Sequence, residues 1–324
     1  MLLSMLAILV GFTLLVWAAD RFVFGASALA RNLGIAPIII GLTIVGMGTS
    51  APEMVVSAVA AWQGSPALGI GNAIGSNITN VALVLGATAV VAPLAVRSET
   101  LRREFPVLFA IMLASLLLLL DGELGFWDGA LLLAGLVLMI YWVTSLGLSE
   151  RCAAEADPLE GEFEEEIPTG VATGRALLWV AAGLVLLLLS SRLLVWGAVN
   201  VALALGISEL VVGLTVVAVG TSLPELAASV TSALRNEHDI AIGNVLGSNM
   251  FNLLAVLGFP GLLAPGAVPE AILERDYPVM VVLTLALFAM GYGFRQPGHI
   301  SRLNGLLLVA VFVGYVTVLY VAGT

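Results

Sequence analysis

Residues 41–86 read GLTIVGMGTSAPEMVVSAVAAWQGSPALGIGNAIGSNITNVALVLG, and residues 213–258 read GLTVVAVGTSLPELAASVTSALRNEHDIAIGNVLGSNMFNLLAVLG. The two stretches align at a constant offset of 172 residues without a gap. The correspondence runs outward as well: Gly25 matches Gly197, Pro93 matches Pro265 and Pro106 matches Pro278. The chain is an internal duplication, so each half is expected to build the same unit.

The unit is a membrane one. Of 324 residues, 60% are hydrophobic and 10% charged, and the mean hydropathy is +1.10. A single soluble core has no use for so much apolar surface. Apolar runs near the length that crosses a bilayer recur from Leu2 to Val321. They predict five helices per half, at about 2–30, 36–61, 66–92, 104–120 and 125–147, then 176–204, 208–233, 238–263, 276–293 and 302–321. The first run has no basic flank before it and no small-residue cleavage signal, so it reads as a span and not as a removed leader. Repeat 1 thus covers 1–148 and repeat 2 covers 175–324. Between them, 149–174 is an acidic linker: Glu150 to Glu166 carries eight acidic residues and one arginine, with no EF-hand spacing. Cys152, the only cysteine, lies there, which excludes an intrachain disulfide and a cysteine metal site.

There are no lysines, and the arginines fix the orientation. With both termini outside, Arg31, Arg97, Arg102, Arg103, Arg151, Arg175, Arg235, Arg295 and Arg302 fall on the cytoplasmic side and only Arg275 falls outside. Arg21 and Arg192 lie within the first and sixth spans. An odd number of spans per repeat makes the halves inverted. Arg102-Arg103 in one half becomes Glu274-Arg275 in the other, as the positive-inside rule demands of an inverted copy. The expected fold is therefore an all-α membrane protein of ten transmembrane helices in two inverted five-helix repeats. Such repeats place a transport site near the midplane where they meet.

Polar residues gather in two strings per repeat. The first is Gly48-Thr49-Ser50-Ala51-Pro52-Glu53, echoed by Gly220-Thr221-Ser222-Leu223-Pro224-Glu225. A carboxylate inside an apolar span costs several kcal/mol and is functional by default. Thr49 and Glu53, like Thr221 and Glu225, are four apart and share a helix face. Pro52 and Pro224 withhold the backbone donor that would reach the carbonyls of Gly48 and Gly220. A broken helix results, offering the carboxylate, hydroxyl and carbonyl oxygens that hard cations such as calcium and sodium take. The second string holds Asn72, Ser76, Asn77 and Asn80, echoed by Asn244, Ser248, Asn249 and Asn252. Asn72, Ser76 and Asn80 form one polar stripe, and Gly71 and Gly75 form a small-residue stripe beside it, fit for close helix approach. Asn72, Asn77, Asn244 and Asn249 suit interhelical hydrogen bonding as well as they suit a cavity lining. Ser76, Ser248, Asn80 and Asn252 read as ligands or their neighbours. A structural ion pair for the glutamates needs a basic partner at their depth, and helices 2, 3, 7 and 8 supply none. Arg21 is expected to pair with Asp20 or to snorkel to an interface.

At these residues the chain resembles the cation/calcium antiporter superfamily, in its prokaryotic sodium/calcium exchanger branch. The resemblance rests on GTSAPE with GTSLPE and on GNAIGSN with GNVLGSN, and covers essentially the whole length. It implies that Glu53 and Glu225 coordinate calcium with Thr49 and Thr221 as helpers. It also implies that sodium is held by carbonyls and hydroxyls at Gly46, Ala218, Ser50, Ser222, Ser76 and Ser248, with Asn80 and Asn252 at the centre of helices 3 and 8. Relatives often carry aspartate where this chain has Asn252, and the neutral residue implies potassium independence. Proton-coupled relatives place a glutamate after the GN pair, which this chain lacks, implying sodium as counter-ion; Thr79 departs from the usual apolar residue.

The function expected is sodium/calcium exchange by alternating access in a prokaryotic inner membrane. Two carboxylates in a low-dielectric cavity must be neutralised before the site seals, so reorientation requires a bound cation. Helices 1 and 6 are expected to slide across the rest, with Gly25, Gly197, Gly34 and Gly206 giving way. The transported ions are calcium and sodium, and no cofactor and no nucleic-acid partner is expected. The lipid bilayer is the surrounding phase, and the sequence leaves the oligomeric state open, a monomer included. The alternatives are a proton/calcium antiporter on the same residues and a passive cation channel. An enzyme is disfavoured, because His238 and His299 fall in expected loops and no span carries an aspartate pair.

Overall fold

In a bilayer every backbone N–H and C=O must be satisfied within its own segment, and this chain answers with helices. The computed structural model describes residues 2–35, 37–64, 66–96, 98–154, 171–204, 218–292 and 298–323. Repeat 1 opens with α1 (Leu2–Leu33). Its second helix is assembled from α2 (Pro37–Ile40), a π-helical turn at Gly41–Val45, α3 (Gly46–Thr49) and α4 (Ala51–Trp62). The third is α5 (Pro66–Thr79), a π turn at Asn80–Leu85 and α6 (Gly86–Val91). Strand β1 (Leu94–Val96), α7 (Ser98–Leu119), β2 (Glu123–Leu124) and α8 (Phe126–Ala154) complete it. Repeat 2 follows the same plan. It runs α9 (Thr173–Ala204), α10 (Ala218–Thr221), α11 (Leu223–Leu234) and α12 (His238–Phe251), then a π turn at Asn252–Val256 and α13 (Gly258–Leu263). Strand β3 (Gly266–Ala267), a π turn at Ile272–Asp276, α14 (Tyr277–Gly291), β4 (Gly298–Ile300) and α15 (Arg302–Gly323) close the chain.

Helical segments thus occupy the expected places, with shifted ends. Helix α8 continues to Ala154, past the expected end at 147 and into the acidic segment, of which 155–170 lies outside the described residues. The start of the expected seventh span, together with Arg97 and Arg295, also lies outside them. Among the described residues six helices are long and apolar enough to cross a membrane, and a seventh is the pair Gly41–Thr49 and Ala51–Trp62, bent by 49°.

Packing shows the inversion directly. A Cβ on Gly25 of α1 would lie 2.8 Å from the Val180 nitrogen and 2.9 Å from the Ala176 carbonyl of α9. Its equivalent, Gly197 of α9, stands in the same relation to Ser4 and Ile8 of α1, with a Cβ 2.7 Å from the Ser4 carbonyl. Subtracting 172 from 176 and 180 gives 4 and 8, so the two contacts are one contact used twice. Equivalent helices that run antiparallel belong to repeats of opposite topology. The architecture is an all-helical membrane fold of two inverted five-helix repeats. Two antiparallel ribbons, β1 with β4 and β2 with β3, tie the loops of the two repeats together.

The interior is layered. The helix from His238 to Leu263 is enclosed along its whole apolar window, whereas α1, α8, α9 and α15 turn most of theirs outward. Residues of α5, α6, α7, α12 and α14 build the main apolar core. A second cluster joins α1 to α9 through Leu15, Ala18, Ala19, Phe22, Ala176, Val180 and Leu187. The small-residue stripe expected on helix 3 works in the second repeat. A Cβ on Gly247 would lie 2.4 Å from the Leu42 carbonyl, while at Gly71 and Gly75 no described atom lies within 4 Å.

Candidate cation-binding site

Both glutamates sit in the first turn of a helix that restarts after a break. At Ser50 the backbone leaves helical geometry (φ −81°, ψ 0°) and α4 begins with Pro52 in its first turn; at Ser222 it does the same (φ −89°, ψ 5°) before α11 and Pro224. Proline has no N–H, and restarting here places it where none is required. Backbone N–H groups at the first break point to the carbonyls of Gly46 and Gly48. The Gly48 carbonyl released by Pro52 is therefore taken up locally, contrary to the expectation that it stays free. Negative charge at the first turn of a helix is favoured by the helix dipole, which helps keep two carboxylates here.

Glu53 and Glu225 are each about 1% exposed. They are close enough to interact electrostatically with one another. Each is held by the opposite repeat: the Ser50 hydroxyl donates to Glu225 Oε1 at 3.1 Å, and the Thr221 side chain engages Glu53. The other oxygen of each carboxylate, Oε2, has no hydrogen-bond partner among the described residues, and neither have Oδ1 of Asn80, Oδ1 of Asn252 and Oγ of Ser222. No basic group pairs with either glutamate among the described ion pairs. Arg21, the nearest candidate by sequence, stands over the Trp17 and Trp179 rings at 5.9 and 5.4 Å, with its Nε 3.8 Å from Asp20. Asp20 in turn accepts from Arg235 Nε at 3.0 Å and Nη2 at 2.5 Å, a tie between α1 and the end of α11 that the sequence reading missed.

The remaining candidates bond within their own helix or across the two repeats. Ser248 donates to the Gly46 carbonyl at 3.3 Å, an acceptor shared with Thr49 at 3.4 Å and the Ser50 N–H at 3.1 Å. The Ser76 hydroxyl lies 3.5 Å from Asn72 Oδ1. Ala218 begins α10, and its side chain is outside those described. Two further asparagines matter more than their sequence reading suggested. Asn72 Nδ2 donates to the Glu53 carbonyl at 3.2 Å, and Asn244 Nδ2 donates to the Glu225 carbonyl at 3.1 Å. These are equivalent bonds, and each steadies the turn that carries a glutamate. Asn244 also holds Ser229 at 2.8 Å and accepts from Thr49 at 3.1 Å. The signal that marks them is recurrence of the same polar residue at the offset of 172.

Among the described candidate residues the buried side-chain atoms left without a partner are thus all oxygens: a carboxylate oxygen on each glutamate, two amide oxygens and a hydroxyl. Oxygen donors suit calcium and sodium. Among the described residues no group of three or more His, Cys, Asp or Glu side chains gathers to hold a resident metal. A site with only two charges and otherwise neutral oxygens suits a cation that comes and goes.

Comparison with known proteins gives the family. The model of the family described as sodium/calcium exchanger protein matches residues 3–145 and 175–321, one match per repeat. Putative antiporter CaxA of Alkalimonas amylolytica is 50% identical over 324 residues, covering 99% of each chain. Inner membrane protein YrbG of Escherichia coli is 40% identical over 99% of this chain and 98% of its own. Sodium/calcium exchanger MaX1 of Methanosarcina acetivorans is 32% identical, covering 98% of each. A solved structure of the sodium-calcium exchanger NCX_Mj superposes with a TM-score of 0.82 at 30% identity, covering 97% of this chain and 98% of that one.

Proposed function

Because this chain belongs to the sodium/calcium exchanger protein family, we propose that it is a secondary antiporter of a prokaryotic cytoplasmic membrane that exchanges calcium for sodium on Glu53 and Glu225. One observation carries the reading. Two enclosed carboxylates, each gripped by the opposite repeat, keep an unpartnered oxygen apiece with no described basic group to balance them. Left bare, such a pair costs several kcal/mol; one divalent or two monovalent cations neutralise it. Thr49, Thr221, Ser50, Ser222, Ser76, Ser248, Asn80 and Asn252 complete the cage, with backbone oxygens at Gly46 and Ala218 taking part in sodium binding.

The same electrostatics couples the two fluxes. An empty site resists being sealed from water, so access alternates only when a cation is aboard. The close packing of α1 along α9, with Gly25 against Val180 and Gly197 against Ser4, supports movement of these two helices as a unit across the rest. Both termini then lie outside, and the cytoplasmic side carries most arginines.

The test is uptake of radiolabelled calcium into sodium-loaded proteoliposomes, with wild type and Glu225→Gln side by side. An outward sodium gradient should drive uptake in the wild type, and the variant should lose it at least tenfold. Equal uptake by both would sink the proposal for the glutamates. Uptake driven by a pH gradient and not by sodium would replace sodium with protons as the counter-ion, and single-channel currents would point to a passive pore.

A further inference from the structure

Asn77, Asn80, Asn249 and Asn252 are each about 1% exposed and meet where α5 crosses α12. Asn80 Nδ2 donates to Asn249 Oδ1 at 3.2 Å, and Asn252 Nδ2 donates to Asn77 Oδ1 at 3.1 Å. Adding 172 to 80 gives 252 and subtracting 172 from 249 gives 77, so the bonds are a single bond repeated by the pseudo-two-fold. In each, the donor is an asparagine that starts a π turn, and its own Oδ1 is left without a partner.

We infer that Asn77 and Asn249 are positioning residues: across the repeat interface they fix which end of the Asn252 and Asn80 amides faces the transported cation. This rests on the proposed cation site. A primary amide has two donors at one end and an acceptor at the other, and the ends have nearly the same shape. Only the oxygen end helps a cation, and a flipped amide would present N–H groups to it. An acceptor supplied by the opposite repeat captures the nitrogen end and leaves the oxygen end for the ion.

The acceptor must itself be oriented, and one half contains a group that does this. Asn77 Nδ2 lies 3.3 Å from the Met280 sulfur. A thioether accepts weakly and never donates. Turning Asn77 over would face its oxygen to sulfur and its nitrogen to the nitrogen of Asn252, losing both contacts. Met280 therefore breaks the flip degeneracy for Asn77, and through it for Asn252. The position equivalent to Met280 is Leu108, which has no acceptor to offer. The Asn80–Asn249 pair has no such pin in its side chain at that position.

The experiment measures the apparent KM for calcium and the maximal rate of sodium-driven uptake in proteoliposomes. Thermal stability of the purified protein and calcium binding by calorimetry accompany it. Asn249→Ala and Asn77→Ala should each raise the KM about three- to tenfold, the worth of one hydrogen bond, with the maximal rate within about twofold of wild type. Asn80→Ala combined with Asn249→Ala should bind calcium no more weakly than Asn80→Ala alone, because the second residue acts only through the first. Asn80→Ala with Asn77→Ala should multiply their effects. Asn249→Ser, and above all Met280→Leu, which conserves volume, guard against misfolding. Met280→Leu should weaken calcium binding about twofold with only a small loss of thermal stability, the thioether being a weak acceptor. Unchanged calcium affinity in Asn249→Ala, Asn77→Ala and Met280→Leu, or fully multiplicative effects of Asn80→Ala and Asn249→Ala, would overturn the inference. If Glu225→Gln abolishes exchange while these variants bind as wild type does, only the positioning role falls. If Glu225→Gln exchanges normally, the site reading falls first.

Discussion

Glu53 and Glu225 each keep Oε2 unpartnered at about 1% exposure, and that single fact sets the behaviour expected of their substitutions. Replacing either by glutamine removes a buried charge but keeps an amide of similar size. The ion-free variant should therefore gain about 1–3 kcal/mol of stability over ion-free wild type. Wild type should instead gain from its ligand, about 2.7 kcal/mol at calcium one hundred times its Kd, and the glutamine variant should not. Thermal melts with and without calcium measure both. Asn72 and Asn244 hold equivalent carbonyls but in unequal networks: Asn72 reaches the Glu53 carbonyl and, weakly, Ser76, whereas Asn244 reaches the Glu225 carbonyl, Ser229 and Thr49. Asn244→Ala should thus cost about 2–3 kcal/mol and Asn72→Ala about 1 kcal/mol, each net hydrogen bond being worth roughly 1 kcal/mol. Equal losses in denaturant or thermal unfolding would contradict this ranking. The glutamates were legible in the sequence because lipid makes them conspicuous. The asparagines were ambiguous, because nothing in a helical stripe says whether an amide meets a backbone carbonyl, another amide or an ion.

Helix breaks and close approaches carry the next scale. The Gly-Thr-Ser-x-Pro-Glu string reads plainly as a broken helix, and the breaks occur at Ser50 and Ser222. The π turns at Asn80 and Asn252 were not legible. One extra residue in a turn leaves no mark in hydropathy, although such turns often coincide with functional sites. The glycine stripe was half legible: Gly247 lies against the Leu42 backbone, whose carbonyl would be 2.4 Å from an added Cβ. Gly247→Ala should force α12 from the second helix and cost about 1–3 kcal/mol. It should also weaken sodium-driven uptake, because Ser248 next to it donates to the Gly46 carbonyl. Wild-type melting together with wild-type uptake would show that the contact has room to relax.

Inversion organises the whole molecule, yet the two halves are not identical in charge. Asp20 of α1 is tied to Arg235 beyond α11, but the equivalent positions hold Arg192 and Gln63, which form no ion pair. The Asp20–Arg235 latch of the α1–α9 pair to the core thus has no symmetric copy, since Gln63 carries no charge. The partners are partly exposed, so the latch is worth about 0.5–1 kcal/mol. If these helices move as a unit, Arg235→Gln should shift the balance between access states about two- to fivefold. Apparent calcium affinities measured from the two sides of the membrane should then shift in opposite directions by that factor. A variant with both affinities unchanged would show the bridge to be ornamental to transport.

The sequence by itself determined the membrane class, the duplication, the inversion and the presence of two glutamates within spans, because hydropathy, a constant offset and arginine placement report what each segment needs from its surroundings. Only the tertiary structure decided who touches whom. Ser50 reaches the glutamate of the other repeat, Asn80 meets Asn249 and not Asn77, Asn72 and Asn244 steady the turns that carry the carboxylates, and Asp20 is shared between Arg21 and Arg235. The reason is physical. A periodic pattern fixes the face a helix buries, but the axial register between two antiparallel helices is set by close packing of small residues across the pseudo-two-fold, a property of neither helix alone.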